Sequence, residues 1–130
     1  MVAYTYTILY VNDVEKSIAF YERAFGFKRK FITPEKDYGE IFSGETTISF
    51  AQVGLAKSNL PKGFQQAVPQ AKPFGIELGF VVEDVQEVVD QVVACGGACY
   101  QPTVVKHWGQ TVAYVRDING FLLEICTAIQ

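Results

Sequence analysis

The chain has 130 residues, a net charge of -3, 49% hydrophobic and 14% aromatic residues, enough length and apolar content for one packed core and too much for disorder. No extended run of Lys or Arg is present, so nucleic acid is not an expected partner, and no apolar run reaches membrane-spanning length. The amino-terminal MVAYTYTILYVND has no basic stretch and no small-residue cleavage site, and Cys95, Cys99 and Cys126 form no CxxC pair. Together these lead to the expectation of a cytoplasmic protein whose three cysteines are reduced, small core residues.

In chain order, an apolar strand over about 4–11 runs into Val11-Asn12-Asp13-Val14, where Asp13 is placed to cap a helix over about 14–25. Val14, Ser17, Ile18, Tyr21, Ala24 and Phe25 recur on one side of that helix, and Gly26 closes it. Strands follow near 27–33, 38–43 and 46–53, with Ser43-Gly44 as a hairpin turn. Residues 54–74, GLAKSNLPKGFQQAVPQAKPF, have no period and read as a connector or as a partly helical flap over a site. Leu55, Leu60, Phe64 and Val68 speak against a purely solvated linker, and Phe64 matters for binding only if this segment folds over the site.

A second strand over about 75–83 runs into Val82-Glu83-Asp84-Val85. Asp84 is a cap, and Glu87 three residues on completes a capping box. Val85, Val88, Val89, Val92 and Cys95 stripe the helix over about 85–95, which ends near Gly97. Strands near 98–106, 110–117 and 121–127 complete the chain, the last pair joined at Asn119-Gly120.

The same order of elements is therefore written twice. Val11 and Val82, Asp13 and Asp84, and Gly26 and Gly97 each stand 71 residues apart. The organisation is α+β: a βαβββ module over about 1–53, a connecting segment 54–74, and a second module over about 75–130. Strand alternation puts Leu78, Phe80 and Val82 towards the helix and Glu77, Gly79 and Val81 on the opposite face. On the last strand Leu122, Glu124 and Cys126 share a face opposite Phe121, Leu123 and Ile125. Glu77 is a carboxylate in an apolar strand and the repeat mate of Tyr6; such a charge is costly away from water unless it has partners.

Three stretches carry a resemblance. YVNDVEKSIAFYERAFGFK (10–28), GFVVEDVQEVVDQVVACGG (79–97) and HWGQTVAYVRDINGFLLEI (107–125) resemble the signatures of the vicinal oxygen chelate superfamily, which holds glyoxalase I, bleomycin resistance proteins and extradiol dioxygenases. The resemblance covers essentially the whole chain and departs at Ile118, where the family usually has Pro. It implies a single domain, 1–130, in which two βαβββ modules form a curved mixed sheet around one cavity, often as a homodimer. Metal-using relatives carry one ligand on the first and one on the last strand of each module. The matching positions here are Tyr6, Ser49, Glu77 and Glu124.

This donor set is poor for a first-row metal, because neutral Tyr and Ser hydroxyls replace imidazole and carboxylate. The one histidine, His107, lies beside Trp108 in a hairpin, and no Ser-His-Asp set, Cys-His set or phosphate loop is recognisable. The expectation is therefore no cofactor, a weak divalent metal at Glu77 and Glu124 being the one compatible exception. The expected ligand is a small organic molecule, flat or cationic, met by Tyr6, Tyr10, Ser49, Glu77, Trp108, Tyr114 and Glu124. Competing readings stand beside each: Glu124 paired with Arg116 or a tyrosine hydroxyl, Glu77 facing solvent, Tyr6 and Tyr10 as ordinary strand residues, and His107 at a rim. The alternative function is a glyoxalase-like lyase or isomerase with Glu124 as general base, with or without a weakly held metal.

Overall fold

The computed structural model describes residues 1–129. The chain divides into two compact units, Met1–Gln66 and Ala67–Gln130, so the division falls inside the expected connecting segment.

In the first unit β1 (Tyr6–Val11) leads into α1 (Val14–Phe25), followed by β2 (Lys28–Ile32), β3 (Tyr38–Ser43), β4 (Thr46–Gln52) and the short α2 (Val53–Asn59). The sheet order is β1-β4-β3-β2, with β1 parallel to β4 and the remaining pairs antiparallel. Asp13 caps α1 by accepting the Lys16 amide at 2.9 Å, and Gly26 ends the helix in the left-handed region at φ 72°. Ile18, Tyr21, Ile41 and Phe50 are fully buried where α1 covers one sheet face. Each such side chain contributes roughly 1.5–3 kcal/mol of transfer free energy. Gly39 permits this approach, since a Cβ there would lie 2.6 Å from Cδ1 of Ile18. Arg29 reaches Glu15 and Glu22 of α1 at 3.1 Å each, at the rim of the same layer.

The second unit repeats the plan with β5 (Glu77–Val81), α3 (Val85–Ala94), β6 (Ala98–Val105), β7 (Thr111–Arg116) and β8 (Leu122–Cys126) in the order β5-β8-β7-β6. Asp84 accepts the Glu87 amide at 3.1 Å, the cap half of the expected box. The left-handed residue after α3 is Gly96 (φ 105°), one position before the glycine expected from the repeat. Val85, Val89 and Val92 of α3 are buried, as are Ala113, Val115, Leu123 and Ile125 of the sheet. Pro102 sits where the β6–β7 register shifts, consistent with its missing N–H on an edge strand.

Residues 54–74 are partly helical, through α2, and their middle is held by two side-chain contacts. The Phe64 ring meets Tyr10 edge-on at 4.7 Å and Gln66 donates to Asn12 at 2.9 Å, both within the first unit. One sequence expectation fails here: of the three cysteines only Cys126 is core, while Cys95 is half-buried and Cys99 is exposed. Cys99 lies on β6, an edge strand of its sheet.

Candidate functional site

In the second unit the sheet face away from α3 carries two carboxylates. Glu124 on β8 pairs in register with Gly79 of β5 on one side and Tyr114 of β7 on the other. Glu77, at the start of β5, stands beside Leu122. Oε1 of Glu124 lies over Gly79, where a Cβ would make ordinary contact at 3.7 Å. The Tyr114 hydroxyl donates to Oε2 of Glu124 at 3.3 Å, a long bond. Of the two structural partners considered for Glu124, the tyrosine is thus the one realised; Arg116 points its guanidinium at backbone carbonyls instead.

The electrostatics of this face are those of uncompensated negative charge. The Glu77 carboxyl is raised above its ordinary value, first by partial burial and then by Glu124. Burial, then Glu77 and Glu124, raise the Tyr114 phenol, and burial, then Glu124, raise the Cys126 thiol. Among the described residues no Lys, Arg or His forms an ion pair with either carboxylate. Glu77 is exposed as a whole residue, so solvent screens its repulsion with Glu124 and keeps the coupling modest.

The corresponding face of the first unit is arranged differently. Tyr6 is 46% exposed, while Ser49 is fully buried and its hydroxyl lies 3.4 Å from Oε2 of Glu40. Glu40 is the in-register neighbour of Ser49 on β3. The same Oε2 accepts the Tyr38 hydroxyl at 2.6 Å, and Lys30 lies 3.4 Å from Oε1. Burial, then the bond to Glu40, pushes the Tyr38 phenol up to about 12. Lys30 also stands 4.9 Å over the Phe42 ring. Tyr38, Glu40 and Lys30 were missed from the sequence. The signal was alternation: with Ile41 facing the helix, Tyr38, Glu40 and Phe42 must face the other way.

The hairpin pair stays at the surface. Trp108 is 54% exposed, packs edge-on against His107 at 4.7 Å and donates its indole N–H to Gln110 at 2.9 Å. It lines a recess of about 290 Å³ with Gly109, Gln110, Thr111, Thr127 and Ala128, not the flank of Glu124. Tyr6, with Tyr4, Thr7, Glu45 and Thr47, borders a shallow hollow of about 380 Å³ in the first unit.

Among the described residues no three His, Cys, Asp or Glu side chains gather as a metal-holding group. The donors at the four family positions do not fit a glyoxalase-type metal centre. Ser49 is buried against Glu40, Tyr6 offers a neutral phenol, and no imidazole stands at any of the four. No helix is long and apolar enough to cross a membrane among the described residues.

Comparison with known proteins places these features in context. Residues 3–125 match the family model of the Glyoxalase/Bleomycin resistance protein/Dioxygenase superfamily. The chain is 29% identical over 132 residues to the lactoylglutathione lyase GLX1 of Arabidopsis thaliana, covering 94% of this chain and 43% of that protein. It therefore spans less than half the length of that relative. A probable lactoylglutathione lyase of Synechocystis is 30% identical over 127 residues, with 92% and 91% of the two chains covered. Among solved structures, hypothetical protein SA1046 from S. aureus has a TM-score of 0.82 at 24% identity, covering 98% of this chain and 95% of its own. A glyoxalase-related enzyme from Fulvimarina pelagi has a TM-score of 0.81 at 20% identity, covering 98% and 89%. At these identities the two structures establish a shared fold.

Proposed function

The chain belongs to the Glyoxalase/Bleomycin resistance protein/Dioxygenase superfamily, and from that premise we propose that it binds a small organic cation at Glu77 and Glu124 without requiring a metal. The observation that carries this reading is the carboxylate pair on one sheet face with no cationic partner among the described residues. Burial and then the charge of Glu124 raise the cost of ionising Glu77, and a bound cation removes the part due to charge. Tyr114 holds one oxygen of Glu124 through a long hydrogen bond. A ligand ammonium would gain charge-assisted hydrogen bonds or, if quaternary, direct attraction and contact with the tyrosine ring.

The test is thermal shift with benzyltrimethylammonium beside an uncharged analogue of the same shape. Stabilisation by the cation alone supports the reading. Equal stabilisation by the neutral analogue would sink it.

A second reading draws on the relatives named lactoylglutathione lyase. In it Glu124 acts as general base on an acidic C–H beside a carbonyl, within a lyase or isomerase cycle. Solvent deuterium entering an aldehyde–thiol adduct, and failing to enter with Glu124→Gln, would favour this over simple binding.

A further inference from the structure

Arg116 is 7% exposed, yet its guanidinium meets no carboxylate among the described residues. It fans out over four backbone carbonyls instead. Nε and Nη2 donate to Gly120 at 3.0 and 2.7 Å, and Nη2 also to Val68 at 3.1 Å. Nη1 donates to Pro69 at 3.1 Å and to Ala71 at 2.5 Å. The Tyr100 ring stands 5.7 Å from the guanidinium carbon. Burying a cation without a counter-ion is expensive unless its donors are satisfied, and here the backbone satisfies them.

A second observation locates the same junction. Gly120 has φ 94°, and a Cβ there would lie 2.7 Å from the Val68 carbonyl and 2.8 Å from the Pro69 nitrogen. Backbone therefore lies directly on backbone at the point the guanidinium spans.

The two pieces of chain joined in this way lead into neighbouring strands. Residues 68–71 run towards β5, and Gly120 opens into β8; these strands are parallel, and their first pair is Glu77 with Leu122. A hairpin turn sets the register of antiparallel neighbours, but parallel strands have no such turn and need another device. We propose that Arg116 is that device: a positioning residue which ties the entries of β5 and β8 together and so holds Glu77 and Glu124 in their mutual offset. Lysine cannot replace it, because a compact ammonium has three donors and no planar fork to reach both segments. The binding consequence rests on the proposed role of the two carboxylates; the strand offset does not.

The experiment is amide hydrogen exchange by NMR on the wild type, Arg116→Lys and Gly120→Ala, with benzyltrimethylammonium affinity measured in parallel. Both variants should lose protection tenfold or more at Ala71 and along Glu77–Val81. The first unit and the β6–β7 pair should keep theirs, and affinity should fall about tenfold. Unchanged exchange along β5, or a uniform loss over both units, overturns the proposal. Should neither variant fold, the wild-type Arg116 Nε–H decides: slow exchange at neutral pH supports the clasp, and rapid exchange overturns it. If the wild type does not bind the probe, the proposed function fails while the exchange pattern still settles the role of Arg116.

Discussion

The two units present the same sheet with opposite electrostatic solutions. In the first, one carboxylate, Glu40, receives the Tyr38 hydroxyl, lies near that of Ser49 and has Lys30 as counter-ion. In the second, Glu77 and Glu124 share a face with one long tyrosine bond and no cation among the described residues. The carboxylate has also changed strand. It sits on the last strand of the second unit, but in the first that place holds Ser49 and the carboxylate lies across the ladder on β3. A duplicated scaffold can thus close one face internally and leave the other seeking a partner. In the first unit the polar groups satisfy one another; in the second no counter-ion meets the two carboxylates among the described residues.

Removing the acceptor from the closed face should have the largest effect. Glu40→Ala strands the Tyr38 and Ser49 hydroxyls and should destabilise the protein by about 2–3 kcal/mol in urea melts. A loss below about 0.5 kcal/mol would mean that the cluster is not internally closed. On the open face, Glu124→Gln should weaken benzyltrimethylammonium about tenfold by calorimetry, roughly 1.4 kcal/mol. Glu40→Gln should change that affinity less than about twofold if the comparison holds.

Alkaline titration sharpens the same contrast. The Tyr38 phenol stands near 12 when folded against 10.0 ordinarily, so the folded state holds this proton more tightly. Its stabilising contribution is full below pH 10 and is lost as pH rises towards 12. Tyr38→Phe should flatten this part of the stability profile, and its phenolate absorbance should be the component missing from the highest-pH region. The smallest effect belongs to Glu77. Its raised carboxyl favours the folded state at low pH, and that advantage fades as pH climbs through the folded value. Glu77→Gln should therefore gain a few tenths of a kcal/mol at neutral pH, after solvent screening, and nothing below the ordinary carboxylate range. A destabilised Glu77→Gln protein would mean that the pair is held by a cation in solution.

Much of the scaffold was legible because it rests on local rules. Asp13 and Asp84 announce their helices as caps, and the apolar stripes of α1 and α3 mark the buried sides. Alternation alone put Glu77 and Glu124 on the face opposite the core. Other features were not fixed by these local rules. Trp108 looked like a wall for the ligand, but its turn leaves it half in solvent on Gln110. Ser49 was a candidate for ligand contact, but it is fully buried and its hydroxyl lies 3.4 Å from Glu40 on the adjacent strand, a pairing no local pattern reports.

The sequence by itself determined the repeated βαβββ order, the starts of α1 and α3 and the strand faces, since these follow from capping, side-chain spacing and a two-residue alternation. Only the tertiary structure decided which polar groups meet. The Glu40–Ser49 alignment is a property of register between β3 and β4. The Arg116 bonds to Val68, Pro69 and Ala71 join residues 45 to 48 positions apart. Whether a carboxylate in an apolar strand is neutralised or exposed depends on such long-range alignments, because hydrogen bonds and ion pairs act only at contact distance.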